Sequence, residues 1–242
     1  MLPSGSIRLR PPTLPCHELA GSTNMITAYL QDVVVLARKD LLLELRSRDT
    51  VPAMLLFVVS ALVVFHFAVP EDLSDETSQI VANGLLWVAI IFTALLGLTR
   101  AFIAEREQRV MDGLVLAPCD RSAIWLGKCV AVVAFLLLAE VIALPAFALF
   151  FEPVDGKTIV AFLLADIGIA SVGTLVSAVA TASRTRELIL PLLFLPLAIP
   201  IIVGGVGASA AEASGKYLGF LALYDGVFAI ISWASFEYVV TE

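Results

Sequence analysis

The chain has 242 residues, 60% of them apolar and 15% charged, with a formal net charge of −7. Soluble domains run about 45–50% apolar and about 25% charged, and one globule of this size cannot hide such an excess. These figures exclude a disordered chain, a coiled coil and collagen. The acidic balance argues against nucleic acid as a partner, and a bilayer is the environment that remains.

Residues 1–24 are rich in Pro, Ser and Gly, contain Arg8 and Arg10, and lack the apolar run of a signal peptide. They read as a poorly patterned extension ahead of Met25, compatible with a mis-assigned start. Cys16-His17 lacks the second cysteine of a haem-attachment motif, because Thr13 stands in its place. Cys119 and Cys129 complete no metal or disulfide spacing.

Residues 25–48 are amphipathic. Ile26, Tyr29, Leu30, Val33, Val34, Ala37, Leu41 and Leu45 recur at helical spacing, with Asp32, Arg38, Lys39, Glu44 and Arg46 largely on other faces. The segment is too charged to cross a bilayer and is expected along its inner surface.

Residues 49–242 form the membrane domain. A crossing helix needs about 20 apolar residues against a slab about 30 Å thick. Six segments meet this: 51–69, 80–99, 123–151, 158–181, 188–206 and 217–240. Basic residues crowd the segment before the first span and the 100–122 and 182–187 loops, whereas the 70–79 loop carries Glu71, Asp72, Asp75 and Glu76 and no base. The positive-inside rule then puts both termini in the cytoplasm. The expected fold is all-α: six transmembrane helices with an N-terminal interfacial helix.

Charged or polar groups inside spans are costly and mark packing or transport sites. The candidates are His66 in the first span, Glu140 in the third, Asp166 in the fourth and Asp225 in the sixth. They could line a path or a proton relay, or fix helix packing; His66 is the sole histidine available to such a relay. Stable haem ligation usually uses His, Met or Cys axial ligands. Beyond Met25 the chain offers His66, Met54, Met111, Cys119 and Cys129, with no evident pairing, so no cofactor bound by this chain itself is expected. Pro145 is expected to kink the third span, and Pro191, Pro196 and Pro200 to bend or locally unwind the fifth, with Gly204, Gly205 and Gly207 extending the irregularity.

The loop after the second span reads RAFIAEREQRVMDGLVLAPCDRSAIWLGK from Arg100. Its first part continues the helix through Arg100, Glu105, Arg106 and Glu107, supported by Glu105–Arg109 at i,i+4 spacing. Met111, Leu114 and Leu116 then form a short apolar patch ending at Pro118, before Asp120 and Arg121. Such a patch between charged flanks suits a groove on another protein, or the bilayer surface. No P-loop exists, since Ser122 replaces the first glycine ahead of Gly127-Lys128, and no hydrolytic triad or HExxH occurs. The chain is not expected to be an enzyme, and its energy source must lie elsewhere.

These residues carry a resemblance. Arg38-Lys39-Asp40-Leu41, Glu44-Leu45-Arg46, Gly97-Leu98, Arg100-Ala101-Phe102, Glu105-Arg106-Glu107, Leu114-Val115-Leu116-Ala117-Pro118 and Asp120-Arg121-Ser122 resemble the CcmB, or haem exporter protein B, family. Val172-Gly173-Thr174-Leu175, Arg186-Glu187, the proline run and Phe236-Glu237-Tyr238 continue it, so that it covers about residues 26–242. The resemblance implies an ABC-2-like permease fold and the role of permease subunit in an ABC-type complex of cytochrome c maturation in the bacterial inner membrane. It implies a homodimer with a CcmA-like ATPase that supplies ATP hydrolysis, and CcmC- and CcmD-like membrane proteins with a CcmE-like haem chaperone as partners. Haem would be handled by the complex, and the Arg100–Arg121 loop would seat on the ATPase. An ABC-2 exporter of drugs or polysaccharide, and a non-transporting scaffold, are the alternatives.

Overall fold

A computed structural model describes residues 25–47, 50–70, 74–107, 121–151, 153–181, 186–210 and 214–241. Seven helices account for almost all of them: α1 Met25–Ser47, α2 Thr50–Ala68, α3 Asp75–Glu107, α4 Arg121–Phe150, α5 Gly156–Thr181, α6 Arg186–Ala210 and α7 Ser214–Thr241. No strand occurs among the described residues. Helices α2 to α7 each contain a stretch long and apolar enough to cross a membrane. The expected spans are therefore present, with shifted ends: the fifth continues four residues beyond Val206, to Ala210, and the sixth begins at Ser214 and ends at Phe236.

Helices α3 and α5 form the centre and bury most of their span, whereas α2 and α7 expose most of theirs. Helix α5 touches α3, α4, α6 and α7. One continuous core links Leu86, Trp87 and Ile90 of α3 with Phe162 and Ile169 of α5, Phe194 and Ile201 of α6, and Leu221 of α7. In lipid there is little hydrophobic drive for helices to associate, so close contact must hold such a bundle together. Glycines supply it. A Cβ at Gly205 would fall 2.4 Å from Cζ2 of Trp87, one at Gly204 would fall 2.8 Å from Cδ2 of Leu221, and Gly207 lies equally close beneath Tyr217. The Trp87 ring stacks on Phe162 with centroids 4.3 Å apart, and its Nε1–H donates to Ser209 Oγ at 3.1 Å. Three helices thus meet at one indole.

The fifth span is not locally unwound. Helix α6 runs unbroken from Arg186 to Ala210 through all three prolines and all three glycines. The glycines serve as contact faces for Trp87, Leu221 and Tyr217 and do not unwind the helix. Pro200 frees the carbonyl of Pro196, and at the next residue the Tyr224 hydroxyl of α7 donates to the Leu197 carbonyl. Pro145 likewise lies within an unbroken α4.

The amphipathic α1 packs chiefly on α4. Val33 and Ala37 are buried there, and a Cβ at Gly127 would come 2.9 Å from Cβ of Leu36. Leu30, Val34, Val35 and Leu42 face outward from the protein, as an interfacial helix requires.

Helix α5 has a cap that the sequence reading passed over. Asp155 Oδ1 accepts from the Thr158 amide at 2.9 Å and from its hydroxyl at 2.6 Å. These bonds hold the Asp155 carboxyl below the usual carboxylate range. The sign follows: a depressed folded-state value contributes stability above the ordinary carboxylate range, and that contribution is lost as pH falls through the depressed value. Asp155→Ala should cost about 1 kcal/mol and Asp155→Asn less. Unfolding of the reconstituted chain at neutral and acid pH checks both; the Ala variant should show the smaller loss of stability on acidification.

Candidate functional site

Four buried polar residues, Cys129 and Glu140 of α4 and Asp166 and Thr174 of α5, lie along the contact between these two helices. The two helices run antiparallel, so that residues near Arg121 on α4 oppose residues near Thr181 on α5. Toward that end Cys129 Sγ lies 3.5 Å from Thr174 Oγ1 and 3.8 Å from the Ala170 carbonyl. Farther along, Glu140 and Asp166 lie on these same facing stripes: Glu140 follows Cys129 by about three turns of α4, and Asp166 lies one turn before Ala170 on α5. Asp166 is 0% exposed and Glu140 4% exposed. Both oxygens of Asp166 and Oε1 of Glu140 have no hydrogen-bond donor. The nearby hydroxyls are engaged elsewhere: Ser171 donates to the Ile167 carbonyl at 2.8 Å and Thr174 to the Ala170 carbonyl at 2.8 Å. A single charge at membrane depth costs on the order of 3 kcal/mol, so two facing carboxyls without a cation are a costly arrangement for packing alone.

The other intramembrane candidates sit apart from this pair. Asp225 of α7 is buried against Gly168, where a Cβ would fall 2.4 Å from its Oδ1, and neither of its oxygens has a partner. Gly168 follows Asp166 by two residues, a rotation of about 200° around the helix, so Asp225 approaches the opposite side of α5. His66 lies at the far end of α2, in a cup of rings from Phe67, Phe150 and Phe151 at centroid distances of 5.4, 5.3 and 5.6 Å. Glu140 is ten residues back along α4, about 15 Å of helix rise. The structure therefore does not bring the histidine to the carboxyl pair, and a relay between them is not built. Lys128, at the start of the expected third span, is buried within the first turns of α4.

Three residues with haem-ligand chemistry inside the spans are likewise separated. Met54 packs on Gly97 of α3, Cys129 faces Thr174 of α5, and His66 occupies its aromatic cup. Met111 and Cys119 lie outside the described residues. Among the described residues, no group of three His, Cys, Asp or Glu side chains is close enough to hold a metal ion.

Of the expected coupling segment, the structure gives its two flanks. Helix α3 continues eight residues past the end of its span at Thr99, to Glu107, and α4 begins at Arg121. Arg100, Glu105, Arg106 and Glu107 lie on this extension. Met111, Leu114, Leu116, Pro118 and Asp120 fall outside the described residues.

Comparison with known proteins bears on the whole bundle. The sequence pattern of the family described as CcmB protein matches residues 31–236, from α1 to the end of the last span. The chain belongs to the CcmB family. Among its relatives, "Heme exporter protein B" of Pseudomonas aeruginosa is 30% identical over 188 residues, covering 75% of this chain and 82% of that protein. The proteins of the same name from Bradyrhizobium diazoefficiens and Paracoccus denitrificans are 26% and 28% identical, over 74% and 73% of this chain and 82% of each relative. With six helices of membrane-crossing length, this CcmB-family chain is a multi-pass protein of the bacterial inner membrane. The unpaired intramembrane carboxyls thus belong to a CcmB-type bundle.

Proposed function

We propose that this chain is the membrane permease subunit of a haem-export complex in cytochrome c maturation, moved by a cytosolic ATPase that it does not itself contain. Its membership of a family whose relatives are named heme exporter protein B carries the reading. The fold supports it physically. A bundle whose central α3 projects past the membrane has a handle on which a soluble partner can act.

The partners are a CcmA-like ATPase, CcmC- and CcmD-like membrane proteins, a CcmE-like haem chaperone and a second copy of the chain. The separation of Met54, His66 and Cys129 favours haem as cargo of the complex over haem as a resident group of this subunit. The subunit's contribution is then mechanical: closure of the ATPase shifts α3 and α4 through the segment that joins them, and the shift releases the haem-loaded chaperone.

Leu114→Asp together with Leu116→Asp tests the coupling. A charged pair in an apolar docking patch should abolish co-purification with the ATPase and deplete c-type cytochromes, while membrane insertion stays normal. Retained ATPase binding with normal cytochrome levels would sink the assignment. Retained binding with an unrelated export defect would favour the drug or polysaccharide exporter.

A further inference from the structure

Two carboxylate ions can only accept hydrogen bonds, so no hydrogen bond joins them unless one carries a proton. Glu140 and Asp166 nevertheless lie on the facing stripes of α4 and α5, both are buried, and three of their oxygens have no hydrogen-bond donor. We propose that Glu140 and Asp166 form an intramembrane proton-binding site, in which one proton taken from the aqueous phase bridges the two groups across the α4–α5 contact. Binding is a simple protonation: the pair goes from two negative charges to one, and the O–H formed donates to the partner carboxylate. Release returns the proton to water and leaves two anions that repel each other across the contact between α4 and α5.

Among the described side chains, no other ionisable group on the packed helices takes the proton's place as counter-charge; Arg121, Lys157, Lys216 and Tyr217 stand exposed in the first turns of their helices. Asp225 lies on the opposite side of α5, and Tyr224 beside it donates to Leu197. Lys128 and Cys129 are about three turns nearer the Arg121 end of α4, and Cys129 is turned to Thr174. His66 of α2 is held by Phe150 and Phe151. The spans of α3, Thr77–Thr99, and α6, Leu188–Ala210, contain no ionisable side chain. Asp32, Arg38, Lys39 and Asp40 belong to α1, which meets α4 around Gly127, more than three turns from Glu140. Nor do the local hydroxyls of Ser171 and Thr174 serve the pair, being committed to their own helix.

The proposal stands independently of the ATPase reading, because it is tested on the full chain alone in lipid nanodiscs. Infrared spectroscopy during a pH titration reads the C=O stretch of a protonated carboxyl, recognised by its shift in deuterated water. At neutral pH the unaltered chain should show this band and lose it on alkalinisation. The band should vanish in the Glu140→Gln, Asp166→Asn double variant and survive in Asp225→Asn. Glu140→Asp keeps two carboxyls but changes their spacing, so it should move the band without removing it; this decides the matter if the double variant fails to insert. Absence of the band in the unaltered chain at neutral pH, or its persistence in the inserted double variant, overturns the proposal. So does a band unmoved in Glu140→Asp, or one that falls with added sodium at constant pH, which would make the pair a cation site.

Discussion

Alanine at Gly205 is expected to destabilise the bundle, and valine to do so more strongly. The sign is informative, because two effects compete. Replacing a helical glycine by alanine ordinarily gains up to about 1 kcal/mol. Here the new Cβ would lie 2.4 Å from Cζ2 and 2.5 Å from Cε2 of Trp87. The indole cannot easily retreat, with Phe162 stacked on it at 4.3 Å and Ser209 accepting from its Nε1–H. Overpacking a tight contact costs about 1–3 kcal/mol, so the clash outweighs the propensity, and the valine variant should sit at about 3 kcal/mol. Unfolding of the detergent-solubilised chain measures both. Adding Trp87→Leu to Gly205→Ala should recover part of the loss, so that the pair is less harmful than the sum of its singles. Strict additivity would mean that Gly205 matters for backbone reasons and not for the indole.

Gly168 presents the second large effect. A Cβ there would fall 2.4 Å from Oδ1 of Asp225 and 3.2 Å from Cδ1 of Ile201. Gly168→Val must push the carboxyl of α7 away from α5, at about 2–3 kcal/mol by the same overpacking range. Asp225→Ala removes the atom that clashes, so combining it with Gly168→Ala should restore most of the stability lost to Gly168→Ala alone. Failure of Asp225→Ala to relieve the defect would locate the clash at Ile201 instead. The readout is the fraction of monodisperse protein after heating, compared across the four combinations.

How much of this was legible beforehand depended on how far apart in the chain the contacting residues lie. Span number and type followed from runs of about 20 apolar residues, a local property. Glu140, Asp166 and Asp225 also stood out locally, as charges where lipid makes charge costly. That Glu140 and Asp166 meet while Asp225 does not was hidden, because helix rotation within a bundle is set by packing among all neighbours. The same holds for Trp87, whose partners Phe162, Gly205 and Ser209 belong to two other helices. At α6 the prolines and glycines suggested local unwinding, yet the helix continues through them because Gly204, Gly205 and Gly207 serve as contact faces for other helices. Asp155 was legible as an Asp-x-x-Thr cap just ahead of the apolar run that begins at Thr158.

Helix α3 is continuous, has no interior proline, and is clamped near its middle by the Trp87 contacts. A rod gripped at several places along its span, around Trp87 and again where Met54 meets Gly97 and Leu98 meets Gly173, moves as one body and has no single pivot. The eight residues from Arg100 to Glu107 extend it by about 12 Å beyond the gripped part. A push on that extension is therefore felt by α2, α5 and α6 together, because each packs against α3.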